Sequence, residues 1–333
     1  MRIEENFSLR EYNTFKLNVK VRWFIEYENE SDLRKILSDE YFHSLPCVHI
    51  GGGSNILFLN DYYNGIVLHS AMRGITATME EDSSVLLRVA AGERWDGVVE
   101  FAVGNGWYGI ENLSGIPGEA GGAAVQNIGA YGAEFADVLA SVECFDIETG
   151  DKLVLSKDEC AYGYRSSRFK DGKDRLIVSS ATLRLQSSGE LLRYGGLGDG
   201  VENMTLGDMR NSVLERRKNS LPDVEKLGNA GCFFVNPVVE EDVAAKLAGE
   251  NVNMPVYAMP DGKVKLSAAW MIERCGFKGV RRGNVGISDK HALVAVNFGG
   301  ADGNEIAALA EEIRQSTMRR FNVELKTEVV YIE

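Results

Sequence analysis

Residues 106–132 read GWYGIENLSGIPGEAGGAAVQNIGAYG, and this stretch decides how the rest of the chain is understood. It follows neither the 3.6-residue period of a helix nor the alternation of a strand, and it carries eight glycines among amides and hydroxyls. A loop this long without periodicity inside a compact domain is usually functional. Ser114, Pro117, Gly118, Gly121, Gly122, Gln126, Asn127 and Tyr131 supply backbone and side-chain groups suited to a pyrophosphate and a heterocycle. The alternative is a plain glycine-rich surface loop.

Upstream, Cys47-Val48-His49-Ile50 reads as a short buried strand, followed by Gly51-Gly52-Gly53-Ser54-Asn55 and a second apolar run from Ile56 to Leu59. Glycines there let several N–H groups face one anion without Cβ interference, although alone the segment also suits an inter-strand turn. No helix opens after it and no Walker lysine follows, so neither a Rossmann fingerprint nor a P-loop is present. Ser31 is expected to cap a helix carrying Leu33, Ile36 and Leu37. Ser84 to Ala91 reads as a strand and Trp95 to Val103 as a helix. Downstream, SVECFDI and KLVLS flank Glu148-Thr149-Gly150-Asp151 as a hairpin, and Leu176 to Leu185 reads as a strand. Helices are predicted over 208–218, 240–248, 268–275 and 305–321, before a closing strand from Val323 to Ile332.

The 333 residues allow two or three domains. With a net charge of −13, the surface repels phosphate backbones and anionic lipid, which argues against nucleic acid and membrane as partners. No run approaches a bilayer span and the amino terminus lacks an apolar signal core, so a cytoplasmic protein is expected. The five cysteines lack metal-ligand spacing, and no metal is expected.

Three further places carry chemistry. Tyr164-Arg165-Ser166-Ser167-Arg168-Phe169-Lys170 concentrates three cations in an acidic chain, as either an anion grip or a solvated basic loop. Cys232 lies among small residues and two aromatics, where a buried structural thiol and a proton donor at a turn are both open. Glu328 falls on the polar face of the closing strand, where a solvated carboxylate is the default. The four histidines show no triad spacing and are read as structural.

Eight motifs then appear in one order nearly end to end: Asn13-Thr14-Phe15, GGGSNILF (51–58), IPGEAGGAAVQNIGAYGAE (116–134), YRSSRFK (164–170), LPD (221–223), GNAGCFFVNP (228–237), DGKVKLSAAWMI (261–272) and ELKTEVVYI (324–332). Together they resemble the UDP-N-acetylenolpyruvoylglucosamine reductase family, also called UDP-N-acetylmuramate dehydrogenase or MurB, flavoenzymes of peptidoglycan precursor synthesis. The resemblance implies an α+β chain with a two-lobed FAD-binding domain of the vanillyl-alcohol oxidase (PCMH) type and a separate α+β substrate-binding domain. The lobes would span 1–68 and 69–205, the substrate domain 206–322, and a terminal strand 323–333 would carry Glu328.

By the same resemblance, non-covalent FAD is held by Gly51, Gly52, Gly53, Ser54, Asn55, Pro117, Gly118, Gly122, Gln126, Asn127, Gly129, Tyr131 and Arg217. NADPH is the implied hydride donor and a UDP-sugar enolpyruvyl ether the substrate, contacted by Tyr164, Tyr194, Ser220 and Asn236. Arg165 and Glu328 match the family's catalytic arginine and glutamate, and Cys232 its proton donor, which is serine in most members. Ser220 stands where many members carry lysine, with Arg217, Lys218 and Lys226 as nearby cations. A monomer is expected. Two rivals are a catalytically dead nucleotide-sugar binder and a flavin oxidase. Such oxidases often tether flavin through a histidine or cysteine in these loops, which here lack either apart from His49 and Cys47 just ahead of GGGSN.

Overall fold

The computed structural model describes residues 1–170 and 175–333. The chain divides into two compact units, each assembled from separated segments. The first comprises Met1–Phe7, Val21–Gly52 and Asn64–Arg217, and the second Ser8–Lys20, Gly53–Tyr63 and Lys218–Glu333.

Alternating apolar residues build the main sheet of the first unit. Its five strands run in the order Lys152–Ser156, Leu139–Asp146, Leu176–Gln186, Ser84–Ala90 and Ile75–Met79, every neighbouring pair antiparallel. Val85, Leu87, Val89, Val142, Ala181, Leu183 and Leu185 turn to one face, where Trp95, Val98, Val99 and Ala102 of helix Trp95–Gly104 cover them. Each such aliphatic side chain contributes about 1.5–3 kcal/mol on burial. Trp95 keeps its indole N–H satisfied by donating to the Leu113 carbonyl at 3.1 Å.

A second sheet orders Arg2–Ser8, Lys20–Tyr27, Tyr62–Ser70 and Cys47–Ile50, the last two strands parallel. Helix Glu30–Leu37 lays Leu33, Ile36 and Leu37 into its core. The helix is capped by Asn29, whose side chain accepts the Asp32 N–H at 2.9 Å, so the start lies two residues before the expected Ser31 cap.

In the second unit, Gly228–Cys232, Val294–Asn297, Val285–Ile287 and Arg281–Arg282 form an antiparallel sheet in that order. Helix Gly303–Phe321 opens on a capping box between Asp302 and Glu305. Helix Ala268–Arg274 begins after Ser267, whose side chain caps it by accepting the Trp270 N–H. Segment 8–20 belongs here because Asn229 N–H donates to the Thr14 carbonyl (2.9 Å) and the Asn297 amide to that of Phe15 (2.8 Å). Gly228 is obligatory at this contact, since a Cβ would overlap the Phe15 carbonyl.

Several expectations are corrected. Residues 106–132 are not one open loop: they contain a 3-10 turn, Glu111–Leu113, and helix Ala120–Gln126. Gly121 permits that helix, because a Cβ there would come within 2.9 Å of the Ala91 methyl. The two strands around Gly51–Asn55 belong to different sheets: Cys47–Ile50 pairs with Tyr62–Ser70, whereas Ile56–Phe58 pairs in parallel with Val330–Ile332. The closing strand is only Val330–Ile332, so Glu328 lies before it. Helix 240–248 runs instead over Glu241–Glu250, through Gly249, and helix 208–218 extends to Leu206–Ser220.

Candidate active site

The two glycine-rich segments meet main chain to main chain in the first unit. A Cβ on Gly52 would lie 3.2 Å from the Gly118 Cα, and one on Gly51 would lie 3.4 Å from Glu119 Oε2. Gly118 holds φ at 110°, a conformation reserved for glycine. Two acceptors on this surface, Glu119 Oε2 and Gln126 Oε1, are enclosed without a hydrogen-bond partner. Buried acceptors lacking a donor cost about 1–3 kcal/mol each. Bare glycine backbone bordered by unsatisfied oxygens fits a dinucleotide, whose sugars and rings bring donors and whose phosphates take N–H groups.

Helix Ala120–Gln126 has seven residues, too few to hold itself together. Its last carbonyls are taken by the cation-rich segment instead. Tyr162 Oη donates to Ala124 O at 2.9 Å and Ser167 Oγ to Val125 O at 2.6 Å. Arg165 Nη2 donates to Gly129 O at 2.9 Å and Nη1 approaches Asn127 O at 3.4 Å. Arg165 itself sits at φ 53°, inside a two-residue turn closed by reciprocal Gly163 and Ser166 bonds. The segment read as either an anion grip or a solvated basic loop thus forms a strap on the glycine-rich helix, with Tyr164 packed against the guanidinium 5.7 Å from its ring centroid.

Asn127 is buried and its amide is committed to the protein. It donates to Glu134 Oε2 (2.9 Å) and Gly163 O (3.1 Å) and accepts the Ala136 N–H (3.0 Å). Tyr131 lies at φ 50°, its carbonyl held by Asn112 and its ring 5.9 Å from the Arg216 guanidinium. Tyr194 packs on Gly132, where a Cβ would meet its ring at 2.8 Å. Arg217 Nε donates to the Gly115 carbonyl at 3.0 Å. Beneath it Arg210 grips Asp96 with two bonds (2.6 and 2.9 Å). Burial pushes the Asp96 carboxyl up, but Arg210 and the Gly115 N–H outweigh it and hold it below the usual range.

The second unit brings Cys232, Glu328 and Asn55 together. Cys232 ends strand Gly228–Cys232 just after a bulge, with Gly231 at φ 68° and its N–H held by Asn229 Oδ1. Glu328 N–H donates to the carbonyl of Phe233, the residue after Cys232, at 2.8 Å, and Val235 N–H to Lys326 O at 2.9 Å. Asn55 Nδ2 donates to Glu328 O at 3.1 Å. Val323, Leu325 and Val329 are buried but Thr327 between them is exposed, and Glu328 is half-buried rather than on a solvated face. Gly53 sits at φ 62° against the Tyr12 carbonyl and its own carbonyl accepts the Thr14 N–H at 3.1 Å.

Asn236 Oδ1 accepts the Ala268 N–H at 2.9 Å, so this candidate substrate contact also anchors the start of a helix. Ser220 ends helix Leu206–Ser220, and Lys290 Nζ lies 2.9 Å from Lys218 O and 3.5 Å from Leu221 O on either side of it. Lys226, by contrast, faces Asp223 at 3.8 Å. The sequence reading passed over Lys290, 70 positions from Ser220, and also the exposed Tyr257, which is paired across a ladder with Lys265 and covered by its ammonium at 5.7 Å. Among the described residues no cluster of histidine, cysteine or acidic groups could hold a metal ion, and no helix is long and apolar enough to cross a membrane.

Residues 21–156 match the FAD binding domain family. Fold and site thus define an α+β, FAD-dependent oxidoreductase with a separate C-terminal domain. Residues 223–332 match the C-terminal domain of UDP-N-acetylenolpyruvoylglucosamine reductase. The reductase of that name from Porphyromonas gingivalis is 42 % identical, with both chains covered completely, and that of Chromobacterium violaceum is 42 % identical over 96 % of each. The crystal structure of MurB from Thermus caldophilus superposes with a TM-score of 0.71 at 25 % identity, covering 100 % of both chains. The chain belongs to the UDP-N-acetylenolpyruvoylglucosamine reductase family.

Proposed function

We propose that the protein catalyses the NADPH-dependent, FAD-mediated reduction of UDP-N-acetylglucosamine enolpyruvate to UDP-N-acetylmuramate, a step of peptidoglycan precursor synthesis. It acts as a cytoplasmic monomer, and its five free cysteines suit a reducing compartment. The observation that carries this reading is the Glu328–Phe233 bond, which fixes the main chain of Glu328 beside the residue that follows Cys232.

Bound FAD would supply the two-electron redox chemistry that links NADPH to the substrate's terminal alkene carbon. Gly51, Gly52, Gly53, Ser54, Asn55, Pro117, Gly118, Gly122, Gln126, Gly129 and Tyr131 hold it, with Arg217 as a further cation. Asn127 serves by shaping the end of helix Ala120–Gln126, because its amide is already engaged. Tyr164, Tyr194, Ser220 and Asn236 contact the nucleotide sugar, and Lys290 supplies the ammonium that Ser220 lacks.

As the alkene gains hydride, negative charge builds on the substrate carboxylate. Arg165 stabilises that charge and Glu328 shares a proton with it, a preorganised electrostatic arrangement. Cys232 delivers the proton to the adjacent carbon. An ordinary thiol has a pKa near about 8.5, so it is mostly protonated at neutral pH and a far stronger acid than serine's hydroxyl. The test is anaerobic addition of NADPH and then of the enolpyruvyl nucleotide sugar. The yellow flavin colour fades at the first step and returns at the second. Colour that stays bleached after the second addition would contradict the assigned substrate.

A further inference from the structure

A buried ionic cluster lies beneath the glycine-rich surface and has no part in the chemistry above. His69, on strand Tyr62–Ser70, faces Glu26 through Nδ1 at 2.9 Å and Glu119 through Nε2 at 3.2 Å. Only 7 % of its side chain is exposed, and the Phe24 ring stacks on it at 6.2 Å. Both ring nitrogens face carboxylates, so both carry hydrogens and the imidazole is a cation. Burial alone would lower its pKa, yet the hydrogen bonds and charges of Glu119 and Glu26 outweigh that and raise it.

Glu119 uses one oxygen on His69. The other, Oε2, is enclosed and without a partner, on a side chain nine-tenths buried. It lies against the position where a side chain on Gly51 would stand, between the two segments assigned to the dinucleotide. An ionised carboxylate only accepts hydrogen bonds. The phosphates of a dinucleotide bring no hydrogen at neutral pH, whereas the hydroxyls of the flanking sugar chains do. The His69 cation offsets the repulsion that a lone carboxylate would exert on those phosphates.

We propose that Glu119, held in place by His69 and Glu26, is a further cofactor-binding residue whose Oε2 accepts a hydroxyl hydrogen from the sugar portion of FAD. The inference rests on the FAD reading of the two glycine-rich segments. A side chain on Gly51 would stand 3.4 Å from this oxygen, so glycine there leaves space beside it.

Glu119→Gln is the sharp variant. His69 Nε2 donates, which turns the amide oxygen toward the ring and leaves an NH2 facing the sugar, a donor where an acceptor is needed. Flavin-stripped protein is titrated with FAD, following quenching of flavin fluorescence, and the thermal midpoint of each apoprotein is measured alongside. The expected result is a Kd about tenfold or more above wild type, with the apoprotein midpoint falling by less than that loss of affinity, because the amide keeps the His69 bond and gives up only the charge. FAD binding as tight as wild type would overturn the proposal. So would weaker binding accompanied by an equal loss of apoprotein stability, which marks a purely structural role. A wild-type chain that binds no FAD would instead overturn the reading beneath it.

Discussion

The two units place their working residues by different means. In the first, side chains reach main-chain groups: Tyr162, Ser167 and Arg165 bind carbonyls of Ala124, Val125 and Gly129, and Asn127 ties three segments together. In the second, main chain binds main chain: Glu328 N–H on Phe233 O, Val235 N–H on Lys326 O and Phe233 N–H on Leu293 O position Cys232 and Glu328. Side chains that build their own scaffold cannot be changed without loosening it. Side chains hung on paired backbone can.

The largest effects are expected at Arg165 and Glu328. Arg165→Met is expected to slow reoxidation of reduced flavin by substrate by about 10²–10³-fold, the scale of a lost oxyanion donor, and to lower the thermal midpoint because the strap loses its Gly129 bond. Glu328→Gln is expected to slow the same step comparably while lowering the midpoint less, because the backbone bonds at 328 and the side-chain shape are kept. Equal melting of the two variants would erase the contrast between the units.

Asn127→Ala comes next. It leaves the buried Ala136 N–H without its partner, at about 1–3 kcal/mol, and unties Gly163 from the helix end, so the urea midpoint falls and FAD affinity falls with it. Unchanged FAD affinity in a destabilised variant would separate the strap from the cofactor surface. Lys290→Met removes a cation from the last carbonyls of helix Leu206–Ser220, worth about 0.3–1 kcal/mol. It is expected to raise KM for the nucleotide sugar more than it lowers kcat.

The smallest effect lies far from the chemistry. Arg88, bonded to Glu143 at 2.8 and 2.9 Å, and Lys152 at 2.7 Å hold the Glu143 carboxyl down at about 2 against the pull of burial. Because the folded pKa is depressed, this contribution is present above the ordinary carboxylate pKa near 4.5 and is lost as pH falls from there toward about 2. Glu143→Gln is expected to flatten that limb of a stability-versus-pH curve measured by denaturant midpoints.

Much of the fold was legible where periodicity and caps agree. The hairpin over 139–156, strand Leu176–Gln186 and the Ser267-capped helix follow from local pattern. Helix Ala120–Gln126 was not, because two glycines hide its period and its stability comes from a strap about forty residues downstream. The short final strand was misjudged because the apolar alternation continues in letters past the point where Thr327 turns outward. The division into units was equally hidden: segments 8–20 and 53–63 join the C-terminal unit through tertiary hydrogen bonds that no local signal announces. Arg165, Cys232 and Glu328 enter as candidates through motif resemblance alone. His69 and its carboxylates at 26 and 119 escaped it, since their spacing matches no local motif.

The division of labour is tested most directly by stopped-flow absorbance of Cys232→Ala and Cys232→Ser under anaerobic conditions. In the alanine variant, NADPH should bleach the flavin at the wild-type rate, while the enolpyruvyl nucleotide sugar should fail to restore the colour; the serine variant should complete both steps. Equal slowing of both steps in the alanine variant would contradict a proton-donating role for this thiol.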